Sequence, residues 1–408
     1  QPILQARCAS CHRPGEVAPF SLLTYEDAAK RARQIARVTE SRFMPPWKPA
    51  PGWTELRDER RLTGAEIAVL RAWADAGAPR GDPAKAPPPP AFAEGWQLGK
   101  PDLVVRMPEP FPVPASGDDV YRAFVIPLQF PEDRDVIGVE FRPGNRRVDH
   151  HALLYLDTSG EARKKDAAEP GPGYTSFAGP GVRPAGSLGG WAPGGVPHFL
   201  PEDVGARVPR GADLIIQIHY HPSGKPETDQ SEVGLFFSRS PRQKRLLAFP
   251  MLSPQLRIPA GDAHYQTSAT FVTPVDLELL GAAPHMHFIG KAMKVWATLP
   301  DGSERKLISI EDWDFNWQGL YYFKQPVRLP RGTALHLEAT YDNSADNPSN
   351  PSDPPREVTW GEQTTDEMAL AFLPFATTNP DDRRTLMMSM AMQLDLLKLA
   401  AQIHSRHP

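Results

Sequence analysis

The sequence predicts a multidomain chain: a small all-α domain, then two all-β antiparallel sandwiches, then a C-terminal helix. Three observations predict this order. Two helix-capping signatures stand before Pro83, Thr24 with Asp27 and Thr63 with Glu66. Four consecutive prolines, Pro87 to Pro90, divide the chain. From Trp96 to about Phe375, short β-rich runs alternate with turn signals.

Thr24 opens a helical stretch to about Thr39. Thr63 opens another, with Ile67, Leu70 and Ala74 on one face and Gly77 as its C-cap. This first domain spans 1–82. The proline-rich stretch 83–95 is a semi-rigid polyproline spacer. Beyond it, runs such as Leu214–Tyr220 and Leu335–Tyr341, and turns such as Pro300-Asp301-Gly302, favour antiparallel sandwiches over βαβ units. The length suits two, 96–242 and 243–378, joined near Ser238–Arg245. Over 379–408, Leu386, Met390, Leu394, Leu397 and Ala401 recur at helical spacing. Met387, Met388, Met390 and Met392 therefore read as residues of an amphipathic helix rather than as a copper-capturing cluster.

Composition narrows the function classes. The 408 residues carry a net charge of -4, which argues against nucleic acid or anionic lipid as a partner. No apolar run approaches the roughly 18–20 residues of a membrane helix. Proline is abundant, 47 residues against a usual share of about 5%, and suits loop-rich β structure. The two cysteines, Cys8 and Cys11, leave none for structural disulfides.

Residues 8–12 read Cys-Ala-Ser-Cys-His, the pattern of c-type haem attachment. The two thiols add to the haem vinyl groups, and His12 is placed to ligate the iron. A thioredoxin-like or zinc C-x-x-C is the competing reading, but the next histidine is His150. Met44, the only Met before Met107, is the candidate sixth ligand, since His/Met ligation is usual in electron-transferring cytochromes and raises the potential. A distal Lys, or an open site with Met44 in the core, is the alternative. The first domain is thus expected to be a cytochrome c domain. A haem motif so near Gln1 reads as a mature N-terminus left by signal cleavage, and places the chain in a bacterial periplasm or outside the cell.

The histidines of the β region fall in pairs: His150-His151, His219-Tyr220-His221 and His285-Met286-His287. In a strand, i and i+2 side chains share a face, so His285 with His287, or His219 with His221, can chelate one ion. Adjacent His150 and His151 need a bulge or strong twist to do so. Imidazoles suit copper, zinc, iron or nickel, and a thioether partner shifts the preference towards copper.

In order and context these clusters resemble the copper type II ascorbate-dependent monooxygenases, among them peptidylglycine α-hydroxylating monooxygenase and dopamine β-monooxygenase. The similarity covers roughly residues 96–376. The family's adjacent His pair and the His of its "Q-[IV]-H-Y" strand match His150, His151 and His219. Its His-x-His pair and the Met of "[ST]-x-D-E-M" match His285, His287 and Met368. The resemblance implies two jelly-roll-like sandwiches, each holding one copper across a solvent-filled cleft. It implies that O₂ and two electrons hydroxylate a substrate C–H bond at His285, His287 and Met368. The site at His150, His151 and His219 would store and pass an electron. Three imidazoles serve both copper oxidation states, while a soft thioether favours Cu(I).

The departures are also informative. This β region has no cysteine, whereas the animal enzymes are disulfide-rich. Where the peptide-amidating enzyme has an Arg and a Tyr that hold the peptide, this chain has Ala283 and Phe372. A C-terminal glycine peptide is therefore not the expected substrate, which is a small molecule or peptide-like compound. The covalent haem is expected to replace ascorbate, passing electrons from an external donor to the His150/His151/His219 copper.

Other features are set aside. Trp313, Phe315, Trp317, Tyr321, Tyr322 and Phe323 line a pocket or fill sandwich core. His198 and His221 either support a ligand, serve as alternate ligands or are single hydrogen-bonded histidines, the commoner case; His264, His336, His404 and His407 are structural or exposed. Two other function classes compete: a non-catalytic periplasmic electron-transfer or copper-binding protein, and a haem-containing sugar- or ligand-binding module that makes the clusters coincidence.

Overall fold

The computed structural model describes residues 1–377 apart from 89, 93, 94, 178, 254 and 362, together with 379, 382, 384–389 and 392. The helix expected over 379–408 lies largely outside the described residues, of which 384–389 are helical. The chain forms two compact units, 1–48 with 58–97, and 49–57 with 98–408.

The first unit contains α1 (Pro2–Arg7), α2 (Tyr25–Ala29), α3 (Ala32–Glu40) and α4 (Gly64–Asp75). Thr24 caps α2, its hydroxyl accepting from the Asp27 N–H. Thr63 and Glu66 form a reciprocal capping box on α4. The single helix expected up to Thr39 is two, interrupted at Lys30 and Arg31. Leu4, Leu22, Ile35, Leu62 and Leu70 make its core. Ala32 and Ala36 meet Ala74 and Ala78 in a second cluster.

The second unit is mainly β. Its first half holds β1 (Leu103–Arg106), β2 (Phe111–Val113), β3 (Val120–Pro127), β4 (Arg134–Arg142) and β5 (Asp149–Asp157), then α5 (Glu161–Ala168). There follow β6 (Tyr174–Thr175), β7 (Gly186–Trp191), β8 (Val204–Val208), β9 (Asp213–Tyr220), β10 (Glu227–Asp229) and β11 (Glu232–Phe237). The second half holds β12 (Lys244–Leu252), β13 (Arg257–Ile258), β14 (Tyr265–Val272), β15 (Leu277–His285) and β16 (Gly290–Thr298). It closes with β17 (Glu304–Ile310), β18 (Tyr321–Leu329), β19 (Ala334–Tyr341), β20 (Val358–Thr359) and β21 (Leu370–Thr377).

These strands build mostly antiparallel sandwich sheets. A five-stranded sheet, β6-β3-β9-β5-β7, belongs to the first half, and a four-stranded sheet, β14-β19-β16-β17, to the second. The third large sheet joins the halves: its eight strands run β1-β11-β4-β8-β12-β21-β15-β18. The junction is a parallel pairing of β8 with β12, Val204 opposite Lys244 and Gly205 opposite Arg245. The halves therefore share a sheet instead of forming two separate sandwiches.

Alternation places the cores. On β3, Phe124 and Ile126 lie on the same side of the sheet as Leu154 and Leu156 of β5 and Leu214 and Ile216 of β9, while Ala123 and Val125 point the other way, towards α5 and Tyr174. On β19, buried Leu335, Leu337, Ala339 and Tyr341 alternate with half-buried residues.

One segment departs from the expected domain limits of 1–82. Residues 49–57 are part of the second unit. Pro49 bridges to Ile310 and Leu56 to Phe323. The Ala50 N–H donates to Ser309 O at 2.7 Å, and the Arg57 N–H to Tyr322 O at 2.8 Å. Among the described residues, no helix is long and apolar enough to cross a membrane.

Candidate metal centre

β5 and β9 carry the first cluster. Asp149 pairs with Tyr220 and His151 with His219, so two steps along β5 answer one along β9. His150 is the extra residue of a bulge, the distortion that adjacent ligands require. Its Nδ1 lies 3.2 Å from His151 Nδ1, which lies 3.3 Å from His219 Nδ1. The ligand-capable nitrogens of these three residues all fall within 4.8 Å of one another.

Burial keeps the imidazoles neutral, the form that binds a metal. It lowers His150 to about 3 and His151 well below its ordinary value, with neighbouring His219 adding to both. His219 is also lowered by burial, against the pull of Asp119.

Asp119 lies just before β3 and is itself buried. Its Oδ2 is 3.1 Å from His219 Nε2, and its Oδ1 accepts from His221 Nδ1 at 2.7 Å. The first contact is electrostatic: the ring N–H is not aligned for a straight hydrogen bond. Burial alone would raise the Asp119 carboxyl, yet its contacts with His219 and His221 hold it below the usual carboxylate range. A carboxylate on Nε2 puts the proton there and leaves Nδ1 as the inward lone pair. His221 thus holds the anchoring carboxylate and stands outside the three-imidazole group. Tyr121, opposite His219 on β3, stacks on its ring at 4.2 Å and 12°.

The second cluster lies at the end of β15. The strand stops at His285, opposite Leu370 of β21, so His287 sits in the following turn. The expected same-face strand pair is therefore a strand-end residue and a turn residue, their rings 5.2 Å apart and nearly perpendicular. His287 Nδ1 donates to Asp366 O at 3.1 Å. His285 Nδ1 donates to Gln318 Oε1 at 2.5 Å, the amide orientation being set by Gln318 Nε2 donating to Phe315 O. Each bond leaves Nε2 as the free lone pair. Burial lowers His285 to about 4 and His287 to about 3.

Glu367, fully buried, holds the turn. It accepts the backbone N–H of His287 and Ile289 at 2.8 Å each, of Gly290 at 3.2 Å and of Met368 at 3.1 Å. Burial pushes its carboxyl up to about 8 against those donors. The Met368 carbonyl accepts from Tyr341 Oη at 2.7 Å. Asp366 and Glu367 therefore hold the ring and the backbone of His287, with Met368 next along the chain.

The two clusters adjoin. The rings of His151 and His285 are 6.2 Å apart, so no solvent-filled cleft of the expected kind separates them. Phe315 stacks on His150 at 4.7 Å and 15°. The aromatic run is thus partly site and partly core, since Phe323 is fully buried. His198 lies edge-to-face on Tyr322. His336 bridges Thr270 and Thr298 and stacks on Trp296, a structural role. His264 is exposed, and His404 and His407 lie outside the described residues. Asp119, Gln318 and Phe315 carry no motif that would have assigned them roles; Glu367 stood in its motif without one.

The three imidazoles from β5 and β9 could hold a metal ion such as copper, and His285 and His287 offer two further imidazole donors. In the first unit, the Cys8 carbonyl accepts the N–H of Cys11 and His12, which holds the motif in one turn. Neither cysteine is in a disulfide. His12 Nδ1 donates to Phe20 O at 3.1 Å, leaving Nε2 for an iron. The N–H of Met44 donates to Val38 O at the end of α3. Cys8, Cys11 and His12 therefore offer the donor types that a haem c would take.

No protein-family model and no curated protein matches the chain. Among solved structures, the major capsid protein P2 of bacteriophage PM2 is similar at 11% identity, over 63% of this chain and 97% of that chain, with a TM-score of 0.27. The VP2 subviral particle of infectious bursal disease virus is similar at 11% identity, over 68% and 72% respectively, with a TM-score of 0.20. Likeness at that level carries no argument about function.

Proposed function

We propose that the chain is a copper-dependent monooxygenase that hydroxylates a C–H bond of a small-molecule or peptide-like substrate. In balance, R–H, O₂, two electrons and two protons give R–OH and water. Copper supplies the one-electron steps and the reaction with O₂ when it is bound. His150, His151 and His219 would hold one ion, and His285, His287 and Met368 the other. A haem c on Cys8, Cys11 and His12, with Met44 as the candidate sixth ligand, would take electrons from an external donor. Such a protein works in the periplasm or outside the cell, after export.

The observation that carries this reading is the convergence of five neutral imidazoles, three of which have their outer nitrogen anchored. Asp119 faces His219 Nε2, Gln318 accepts from His285, and Asp366 accepts from His287. Anchored rings meet an ion without first losing rotational freedom. Beside His285, Ala283 and Phe372 stand opposite one another on β15 and β21 and offer a substrate no charge.

The test is metal and haem stoichiometry on protein loaded with copper and desalted. Two coppers per haem are expected, with Met368→Ala losing one and keeping the other. Haem with no retained copper would end the copper reading. The close approach of His151 to His285 favours a second reading, a non-catalytic electron-transfer or copper-binding protein. Oxygen uptake coupled to oxidation of the reduced haem is expected for the enzyme and absent for that carrier.

A further inference from the structure

We propose that Phe315 is a positioning residue that holds the two imidazole clusters together as one centre; this deepens the copper reading and rests on it.

The ladder leaves the placement of His150 open. As the extra residue of a bulge, it has no partner across β9 to set its direction. β5 lies in the five-stranded sheet, which the shared eight-stranded sheet does not include. The main-chain pairing that joins the halves therefore does not fix His150 relative to His285 and His287. Packing between the sheets and side-chain contacts do so, His151 against His285 at 6.2 Å among them.

The loop between β17 and β18 adds a contact that reaches His150 itself, from a rigid base. The Trp313 N–H donates to Lys291 O at 2.9 Å, and its indole Nε1 to His287 O at 3.0 Å. The Asp314 carboxylate accepts the Asn316 N–H at 3.0 Å, an Asx turn. Gln318 closes the loop, bonding Phe315 O with Nε2 and His285 with Oε1. Trp313 and Gln318 thus bind the loop to the second cluster. Phe315 reaches both: it stacks on His150 at 4.7 Å and meets His287 edge-on at 6.1 Å. Phe288, 4.6 Å away, supports its other side.

An offset aromatic stack of this kind changes local opening roughly twofold to tenfold. Hydrogen–deuterium exchange on the full haem-loaded, copper-free chain tests it. Phe315→Ala is expected to speed exchange roughly twofold to tenfold in both 149–151 and 285–289. Phe315→Tyr should restore the wild-type rates. Phe315→Leu, which keeps apolar bulk without the flat ring, replaces the alanine variant if that one does not unfold cooperatively. Faster exchange confined to 313–318 would overturn the proposal. In copper-loaded protein, Phe315→Ala should keep two ions while the Cu(II)–Cu(II) distance, read from dipolar broadening in continuous-wave electron paramagnetic resonance, spreads over a wider range. Two ions at an unchanged distance would also overturn it. Wild type that retains no copper would overturn the copper reading, and the exchange result would still decide the role of Phe315.

Discussion

Asp119 Oδ2 lies 3.1 Å from Nε2 of His219, so a buried carboxylate sets which nitrogen of a cluster imidazole faces inward. Asp119→Asn removes the charge while keeping the shape. Copper affinity at the three-imidazole cluster should fall roughly 10–100-fold, with the His285 cluster unaffected. Calorimetric titration of the full chain checks this, and equal affinities for both proteins would sink it.

Acid should unfold the metal-free chain through its imidazoles. Burial depresses His150 and His287 to about 3 and His285 to about 4, and also lowers His151 and His219. The unfolded chain takes up protons near 6.5 that the fold refuses. Stability from this source is complete above 6.5 and is lost as pH falls towards those values. Glu367, pushed up to about 8 by burial, and the buried carboxyl pair Asp149 and Asp229, both raised by burial, act in the opposite sense. Their contribution is complete below the ordinary carboxyl range and is lost as pH rises through about 8. His221, raised by its hydrogen bond to Asp119, adds to that alkaline loss. Five imidazoles outweigh these groups on the acid side, so denaturant midpoints should peak at about pH 6–7. A steady decline from pH 4 to 8 would contradict the assignment.

Glu367→Gln replaces one acceptor oxygen with an amide NH₂ facing backbone N–H donors. Lost and opposed bonds in a fully buried site should cost about 1–3 kcal/mol of stability. Thermal unfolding reads the loss, and retention of the wild-type midpoint would show that the four N–H groups find other acceptors.

Met44→Ala tests the haem assignment. If the Met44 sulfur is the sixth ligand, its loss should lower the haem potential in a redox titration. An unchanged potential would place Met44 in the core of its unit.

The sequence made the ligand types legible, because three histidine clusters occur where β-rich runs were already evident. The adjacency of His150 and His151 required a bulge, and one lies between Asp149 and His151. The N-caps at Thr24 and Thr63 were equally legible, since a cap is a contact over three residues. The anchors were not. Asp119 meets His219 and His221 only because β3 pairs with β9 across a hundred residues. Gln318 reaches His285 from a loop with no periodicity to read. Alternation placed His285 and His287 on one strand, but it cannot mark where a ladder ends, and here it ends at His285. Residues 49–57 join β17 and β18 chiefly through main-chain bonds, which leave no side-chain pattern.

The shared eight-stranded sheet also bears on modularity. A fragment ending after Phe237 would bare one side of Val204–Val208, and one beginning at Lys244 would bare β12. Each cut would also break the Asp135–Arg245 ion pair, now 2.7 Å long, leaving Asp135 with the longer contact to Arg207 at 3.4 Å. Exposed strand edges template aggregation, so neither half is expected to be a well-behaved piece alone. For recombination or engineering, the transferable cassette is both halves together, and a crossover point inside 238–244 is among the worst places to splice this chain.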